Sequence, residues 1–436
     1  MTRRSIHRGA LAAFLALVLL APALRAQTAA HDRDRARTML RQVRARIEER
    51  FYDPALKGVD LDARAAHANS IIRGATSLAD MFSAIAAFTM EMGDSHTFFV
   101  PPRQTVESRY GWEMLMVGDS AFVSRVDPES DAARQGVRPG DQVISVNGHT
   151  PTRANLWSMW YVFRSLRPQP GLRVVMRAPG GEPRQLDLAA RVRRRSRVID
   201  LVAGGGPDLQ SLIREEQNAV DEERPRFARL GDVLVWQLRT FHTSDEQIRD
   251  GLRRAHGSRA LVLDLRGNGG GPPETLLLLL GGLSAERVVV GTLRERRRET
   301  PMVAPGTAAA AYTGEMLVLV DSRTASAAEI LARVAQLTGR AQVFGDRTAG
   351  AVSRGRMEQM EMGVERVVVY GVFVTDAQLV MADGGNLEGV GVAPDTVLLP
   401  TAAQLAAGED PVLAHALTHL GQPTNPAAAG ALLPAY

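Results

Sequence analysis

The chain has 436 residues, 45% of them hydrophobic and 23% charged, and a formal net charge of only +4. That is enough apolar sequence for several ordinary globular domains, and the near balance of charge makes the basic character a matter of arginine used in place of lysine. The absence of cysteine excludes a disulfide framework and a lipidation site, and it fits an oxidising compartment where stray thiols are a liability.

Arg3, Arg4 and Arg8 precede an apolar core over residues 10–20, and small residues then lead to Ala26-Gln27. This pattern predicts an export signal over residues 1–26, and hence an exported protein, periplasmic or extracellular. The core is short for a membrane span, and no later segment is long and apolar enough; residues 276–283 are too few. Residues 30–106 read as a helical region. Met39, Leu40, Val43, Ile47 and Phe51 fall at helical spacing within residues 35–51, and further helices are predicted over 62–72 and 78–92, the last closed by Gly93.

Residues 107–193 carry short β-type runs at 121–126, 143–146, 172–176 and 185–188, separated by turn signals such as Arg138-Pro139-Gly140-Asp141 and Asn147-Gly148. A turn or two of helix fits 130–135. Residues 194–217 are polar and Gly-rich, with Gly204-Gly205-Gly206, and read as a connector. From 218 to 421 strands and helices alternate: strands at 233–238, 260–265, 288–293, 316–320 and 342–344, helices at 244–255, 274–283 and from near Glu329 to Leu337. Alternation of this kind implies an α/β domain with a largely parallel sheet. The Pro/Ala-rich residues 422–436 read as a flexible tail. The basic runs 191–197 and 294–298 are short, interleaved with acids nearby, and unaccompanied by a nucleic-acid motif, so they read as solvated strand ends or linkers and no nucleic-acid partner is expected.

Chemistry concentrates where the apolar run 316–320 ends at Asp321-Ser322 and Thr324-Ala325-Ser326-Ala327-Ala328 feeds a helix. A serine at such a strand-to-helix transition presents its hydroxyl beside helix N-terminal N–H groups, which suit a developing oxyanion. Any base for it must come from elsewhere than a neighbouring lysine, because the only lysine is Lys57. No metal-ligand spacing is present, and the glycine run 267–271 lacks the Lys-Ser/Thr of a phosphate loop, so neither metal nor cofactor is expected.

Two resemblances organise these signals. Asp127–Ala133 and Gly136–Gly148 resemble a PDZ domain, which binds the C-termini of polypeptides by adding a strand and capturing the terminal carboxylate in backbone N–H groups. The corresponding loop would be Gly111-Trp112-Glu113-Met114 after Tyr110, a departure from the usual glycine-aromatic pattern. Leu263-Asp264-Leu265-Arg266-Gly267-Asn268-Gly269-Gly270-Gly271, the Ser326 turn and Val343–Gly350 together resemble the S41 peptidase family, which includes the C-terminal processing and tricorn-type proteases. The likeness covers almost all of the sequence beyond the export signal and implies a multidomain protein: an N-terminal helical region, a PDZ-like β domain and an α/β protease core.

The resemblance implies Ser326 as nucleophile and the Ala327 N–H as one oxyanion donor, with Gly269 or Gly270 supplying the second. The lysine of the processing proteases would fall at Ala351, and the nearby Arg354 and Arg356 stay protonated and cannot replace it. Gly93-Asp94-Ser95-His96-Thr97 resembles the tricorn-type segment that provides a catalytic histidine, here His96. Leu387–Asp395 resembles the segment whose glutamate completes that site, making Glu388 the orienter of the imidazole and Ser95 a further hydrogen-bonding member. Asp94 and Asp383 compete for the orienting role. The expected activity is endopeptidase action on peptides or proteins, with C-termini engaged at the PDZ part. Two rivals use the same sequence: a non-catalytic PDZ-bearing scaffold, and serine-based ester hydrolysis. The sequence leaves the oligomeric state open.

Overall fold

The computed structural model describes residues 30–102, 106–194, 224–363 and 367–433. The expected export signal and residues 195–217 of the expected connector lie outside the described residues. The protein divides into two compact units. The first comprises the residues up to Gly93, Thr97–Arg103 and Gly355–Val374. Its helices run over residues 30–50, Leu61–Gly74 and Leu78–Met90. Met39, Leu40, Val43 and Ile47 form the buried stripe that their spacing predicts. Asp60 and Ser77 cap the second and third helices, accepting from Ala63 N at 2.9 Å and Asp80 N at 3.1 Å. The strand Phe98–Val100 pairs antiparallel with residues 371–373 of the strand Val368–Met381.

The second unit holds Asp94–His96, Gln104–Arg354 and Thr375–Tyr436. Within it, five antiparallel strands in the spatial order Trp112–Val117, Ser120–Val126, Gln142–Val146, Gly171–Arg177 and Pro183–Ala189 make the PDZ-like sheet. The first of these strands lies partly where the sequence suggested a loop. Trp112, Met114 and Met116 face the PDZ core, whereas Leu115 and Val117 pack with Leu405 of the following domain. Because both faces are buried, the strand lacks the polar alternation by which a half-exposed strand is read.

The core sheet has six strands in the order Thr396–Val397, Gln342–Gly345, Glu315–Val320, Ala260–Asp264, Val233–Gln237 and Arg226–Leu230. All neighbouring pairs are parallel except the last. Leu261, Leu263, Val318 and Val320 point to one face, into a core shared with helices Asp245–His256, Pro273–Gly282 and Ala327–Leu337. Val262, Leu317, Leu319 and Phe344 point to the other, against Pro411–His419 and Pro426–Leu432. The run expected to be loose beyond Gly421 therefore contains a packed helix. Asn425 caps it through Ala428 N at 2.8 Å, Ala429 is fully buried, and Gly430 lies so close to Gly408 that a Cβ would stand 2.1 Å from its carbonyl oxygen. Alanine and glycine make the sequence look featureless, and they are what permits this close approach. Among the described residues no helix is long and apolar enough to cross a membrane.

One ion cluster ties the sheet to its C-terminal helices. Arg266 is 3% exposed and forks to Asp264 Oδ2 at 2.8 Å and Asp410 Oδ2 at 2.7 Å. Asp410 also caps the helix Pro411–His419, accepting from Leu413 N at 2.9 Å. Removing one partner strands a buried charge, so Asp410→Ala should lower unfolding stability by about 3–5 kcal/mol, read as a lower urea midpoint. A change under about 1 kcal/mol would contradict this account of the cluster.

Candidate active site

Three loops leave the carboxyl ends of neighbouring parallel strands, the place where open α/β sheets form binding crevices. The loop after Ala260–Asp264 carries the glycine run, the loop after Glu315–Val320 carries Ser326, and the loop after Gln342–Gly345 carries residues 346–353. Buried polar groups stitch the first two together. Asp321 Oδ1 accepts from Gly267 N at 2.9 Å and from Arg323 N and Thr324 N, each at 3.0 Å. Ala325 N donates to Asn268 O at 2.9 Å, and Asn268 is itself fully buried. The third loop joins through Ala349 N, which donates to Thr324 O at 2.9 Å.

Ser326 precedes the helix Ala327–Leu337 with φ 56° and ψ −122°. A non-glycine residue at positive φ is strained, and such turns characteristically expose a nucleophile at a strand-to-helix junction. Gly270, at φ +96°, faces it so closely that a Cβ there would lie 2.5 Å from Ser326 Cβ. The two glycines differ in what their N–H groups can do. Gly270 N donates to Asn268 Oδ1 at 2.8 Å, whereas among the described residues the N–H groups of Gly269 and Ala327 have no intramolecular acceptor. Of the glycine pair, Gly269 is therefore the one with a donor to offer.

Asp94, Ser95 and His96 belong to the same unit as this crevice. Ser95 Oγ lies 2.7 Å from His96 Nδ1, and Ser95 N donates to Glu388 Oε1 at 2.8 Å. Glu388 Oε2 accepts from Val352 N at 3.0 Å and Ser353 N at 2.9 Å. Burial pushes the Glu388 carboxyl up, but hydrogen bonds from the Ser95 hydroxyl and from the amides of Ser353, Ser95 and Val352 outweigh it and hold it below the ordinary range. The His96 imidazole is shifted down, because its burial outweighs the raising influence of the Glu388 and Asp94 carboxylates.

The competing carboxylates are otherwise engaged. Asp94 Oδ1 accepts from the backbone N of His96 at 3.0 Å and from Thr375 Oγ1 at 2.5 Å, so it fixes the main chain of the histidine. Asp383 is paired with Arg333 at 2.5 Å. Among the described residues no hydrogen bond joins Ser326 Oγ to the His96 ring. Gly111 turns at φ +72° with the Ser130 side chain where its Cβ would be, Trp112 and Met114 are buried, and Glu113 pairs with Arg125 at 2.9 Å. Trp112–Val117 is one of the two edge strands of the PDZ sheet, and it abuts the serine loop: Ser322 Oγ donates to Met116 O at 2.6 Å.

Sequence reasoning missed Asn268, Asp321, Thr324 and above all Glu329, a fully buried acid beside the serine. Only Glu329 carried a local signal, because Ser326-x-x-Glu329 has capping-box spacing.

An NMR titration should place the His96 midpoint below about 6.5, the value of an ordinary histidine. Glu388→Gln should lower it further by removing a charge that favours the imidazolium; an upward shift would contradict the assignment.

Comparison with known proteins finds likenesses in both parts of the second unit. Residues 232–398 match the model of peptidase family S41, and residues 122–177 match a PDZ domain. A probable CtpA-like serine protease of Staphylococcus saprophyticus is 22% identical over 244 residues, covering 55% of this chain and 44% of that protein. One of Staphylococcus aureus is 23% identical over 328 residues, covering 72% of this chain and 59% of that protein. The alignments thus span about half the length of these curated relatives. Among solved structures, mature CPAF superposes with a TM-score of 0.65 at 15% identity, covering 86% of this chain and 94% of that one, a likeness of fold.

Proposed function

We propose, from the match of residues 232–398 to peptidase family S41, that the chain is a serine endopeptidase acting through Ser326, His96 and Glu388. The observation that carries this reading is the pairing of a strained serine turn with a relay from His96 Nδ1 through Ser95 to Glu388. Ser326 Oγ attacks the peptide carbonyl and passes its proton to His96 Nε2, while Ser95 and Glu388 hold the ring and stabilise the imidazolium. The N–H groups of Ala327 and Gly269 receive the oxyanion. The imidazolium returns its proton to the leaving amine, and water then repeats the sequence on the acyl-enzyme. Contact between Ser326 Oγ and His96 Nε2 forms on substrate binding, when catalytic hydrogen bonds tighten.

The protein is exported, and peptide substrates reach the crevice along the PDZ edge strand. A peptide extending Trp112–Val117 past Gly111 would run toward Ser322, four residues from the nucleophile. Its chemistry does not need a lysine, because the imidazole, its pKa lowered by burial, is neutral at neutral pH and offers a lone pair to the serine proton.

A fluorophosphonate probe should label the wild-type protein covalently at Ser326 and leave Ser326→Ala unlabelled. His96→Ala should reduce kcat/KM for peptide hydrolysis about a thousand-fold or more. Unlabelled wild type that still binds peptides tightly would favour the scaffold instead. Because His96 must be neutral to act, turnover should fall on acidification, and its depressed pKa puts the midpoint below about 6.5. A midpoint clearly above that value would refute His96 as the base.

A further inference from the structure

Glu329 has no part in this mechanism, yet it is a fully buried acid on the first turn of the helix that Ser326 begins. Its Oε2 accepts from Ser326 N at 3.0 Å, the bond expected of a capping residue. Capping needs nothing more, but Glu329 takes three further donors from a distant segment. Thr348 Oγ1 donates to Oε1 at 2.5 Å, Gly350 N to Oε1 at 2.7 Å and Ala351 N to Oε2 at 2.8 Å. Thr348 Oγ1 accepts from Val392 N at 2.6 Å, so its proton is committed to Glu329. Among the described residues four donors and no acceptor surround the carboxylate, although its burial pushes its pKa up.

The next two amides of the same segment, Val352 N and Ser353 N, donate to Glu388 Oε2. Four consecutive backbone N–H groups, 350 to 353, are thus divided between two carboxylates, the first beside the nucleophile and the second beside the histidine. The segment is also laced to the stretch that follows Glu388. Gly389 N donates to Gly350 O at 2.8 Å, and a Cβ on Gly350 would stand 2.9 Å from Val390 N and Gly391 N.

We infer that Glu329 is a positioning residue that clamps residues 348–353 as a strap, setting the Ser326 turn and the Glu388 carboxylate in one register. This rests on the reading of Ser326 and His96 as nucleophile and base. Ala351, where the resemblance to processing proteases would put a lysine, supplies its backbone N–H to the clamp, so that position serves as a strut.

The test is Glu329→Gln in the full-length protein, read by amide hydrogen exchange and by peptide hydrolysis. A glutamine keeps the shape but turns an NH2 toward two of the four donors, leaving them unpaired. Protection should drop at Val352 and Ser353, which Glu329 does not touch, and kcat should fall about 100-fold with KM within about threefold. Unchanged protection at those two amides, or kcat within about threefold of wild type, would overturn the clamp. If Glu329→Gln does not fold, Thr348→Val removes one donor to the carboxylate, together with the acceptor of Val392 N, and leaves the carboxylate itself; it should lower kcat about tenfold, and wild-type kcat there would overturn the proposal equally. A wild type that neither hydrolyses peptide nor labels at Ser326 would defeat the functional reading, while exchange at 352 and 353 still decides the strap.

Discussion

The backbone of Ser326 is the constraint on which the rest of the crevice depends. A serine at φ 56° and ψ −122° costs about 1–3 kcal/mol relative to an unstrained residue and persists only where its surroundings over-determine it. Its neighbours do so from several sides. Ala325 is held by Asn268, Ser326 N by Glu329, and the preceding turn by the carboxylate of Asp321. Gly270 is glycine because any side chain there would occupy the place of Ser326 Cβ. The glycine run therefore acts sterically as well as through its N–H groups, and sequence alone separates neither role.

The same region solves an electrostatic problem without a lysine. Carboxylates buried near the serine would ordinarily become protonated or demand cationic partners. Here backbone amides replace the cations: Glu388 receives three and the Ser95 hydroxyl, and is held below the ordinary carboxylate range. Its negative charge then opposes the burial that depresses His96, so the imidazole is kept from losing its basicity altogether. Donors fixed by the fold do not reorganise as charge moves, which is the condition under which a small number of dipoles stabilises a developing ion.

Much of this was legible in the sequence, and what was not has a physical reason. Helices with a single apolar stripe and a local cap could be read, as with Ser244 and Gln247 at the start of Asp245–His256. The strand Trp112–Val117 could not, because Leu115 and Val117 are buried against Leu405, nearly three hundred residues later in the sequence. The packed helix Pro426–Leu432 was hidden by its small residues. Ser326, His96, Ser95 and Glu388 were singled out by motif resemblance, and geometry alone distinguished Gly269 from Gly270 and set Asp383 aside on Arg333. Glu329 announces its capping bond by local spacing, but its partners at 348–351 are separated from it by a strand and a turn that no pattern rule connects.

The PDZ-like part is more than an appendage to this arrangement. Arg153 donates to Gly118 O and Arg347 O, each at 2.9 Å, and pairs with Asp346 at 2.6 Å; Asp346 also accepts from Gly118 N at 2.9 Å. Asp346 and Arg347 lead directly into the segment 348–353, just as Ser322, bonded to Met116, leads into Ser326. The serine loop and the segment 348–353, two of the three loops of the crevice, are therefore anchored at their entrances on the PDZ-like part and at their exits on buried carboxylates. Asp346 is about nine-tenths buried, so losing Arg153 would leave a desolvated charge at the mouth of the strap. An occupied PDZ edge would meet this anchorage at Met116, where the carbonyl that an added strand would use already accepts from Ser322. A carbonyl oxygen has two lone pairs, so a strand added as far as Met116 would share that oxygen with Ser322, at the entrance of the serine loop.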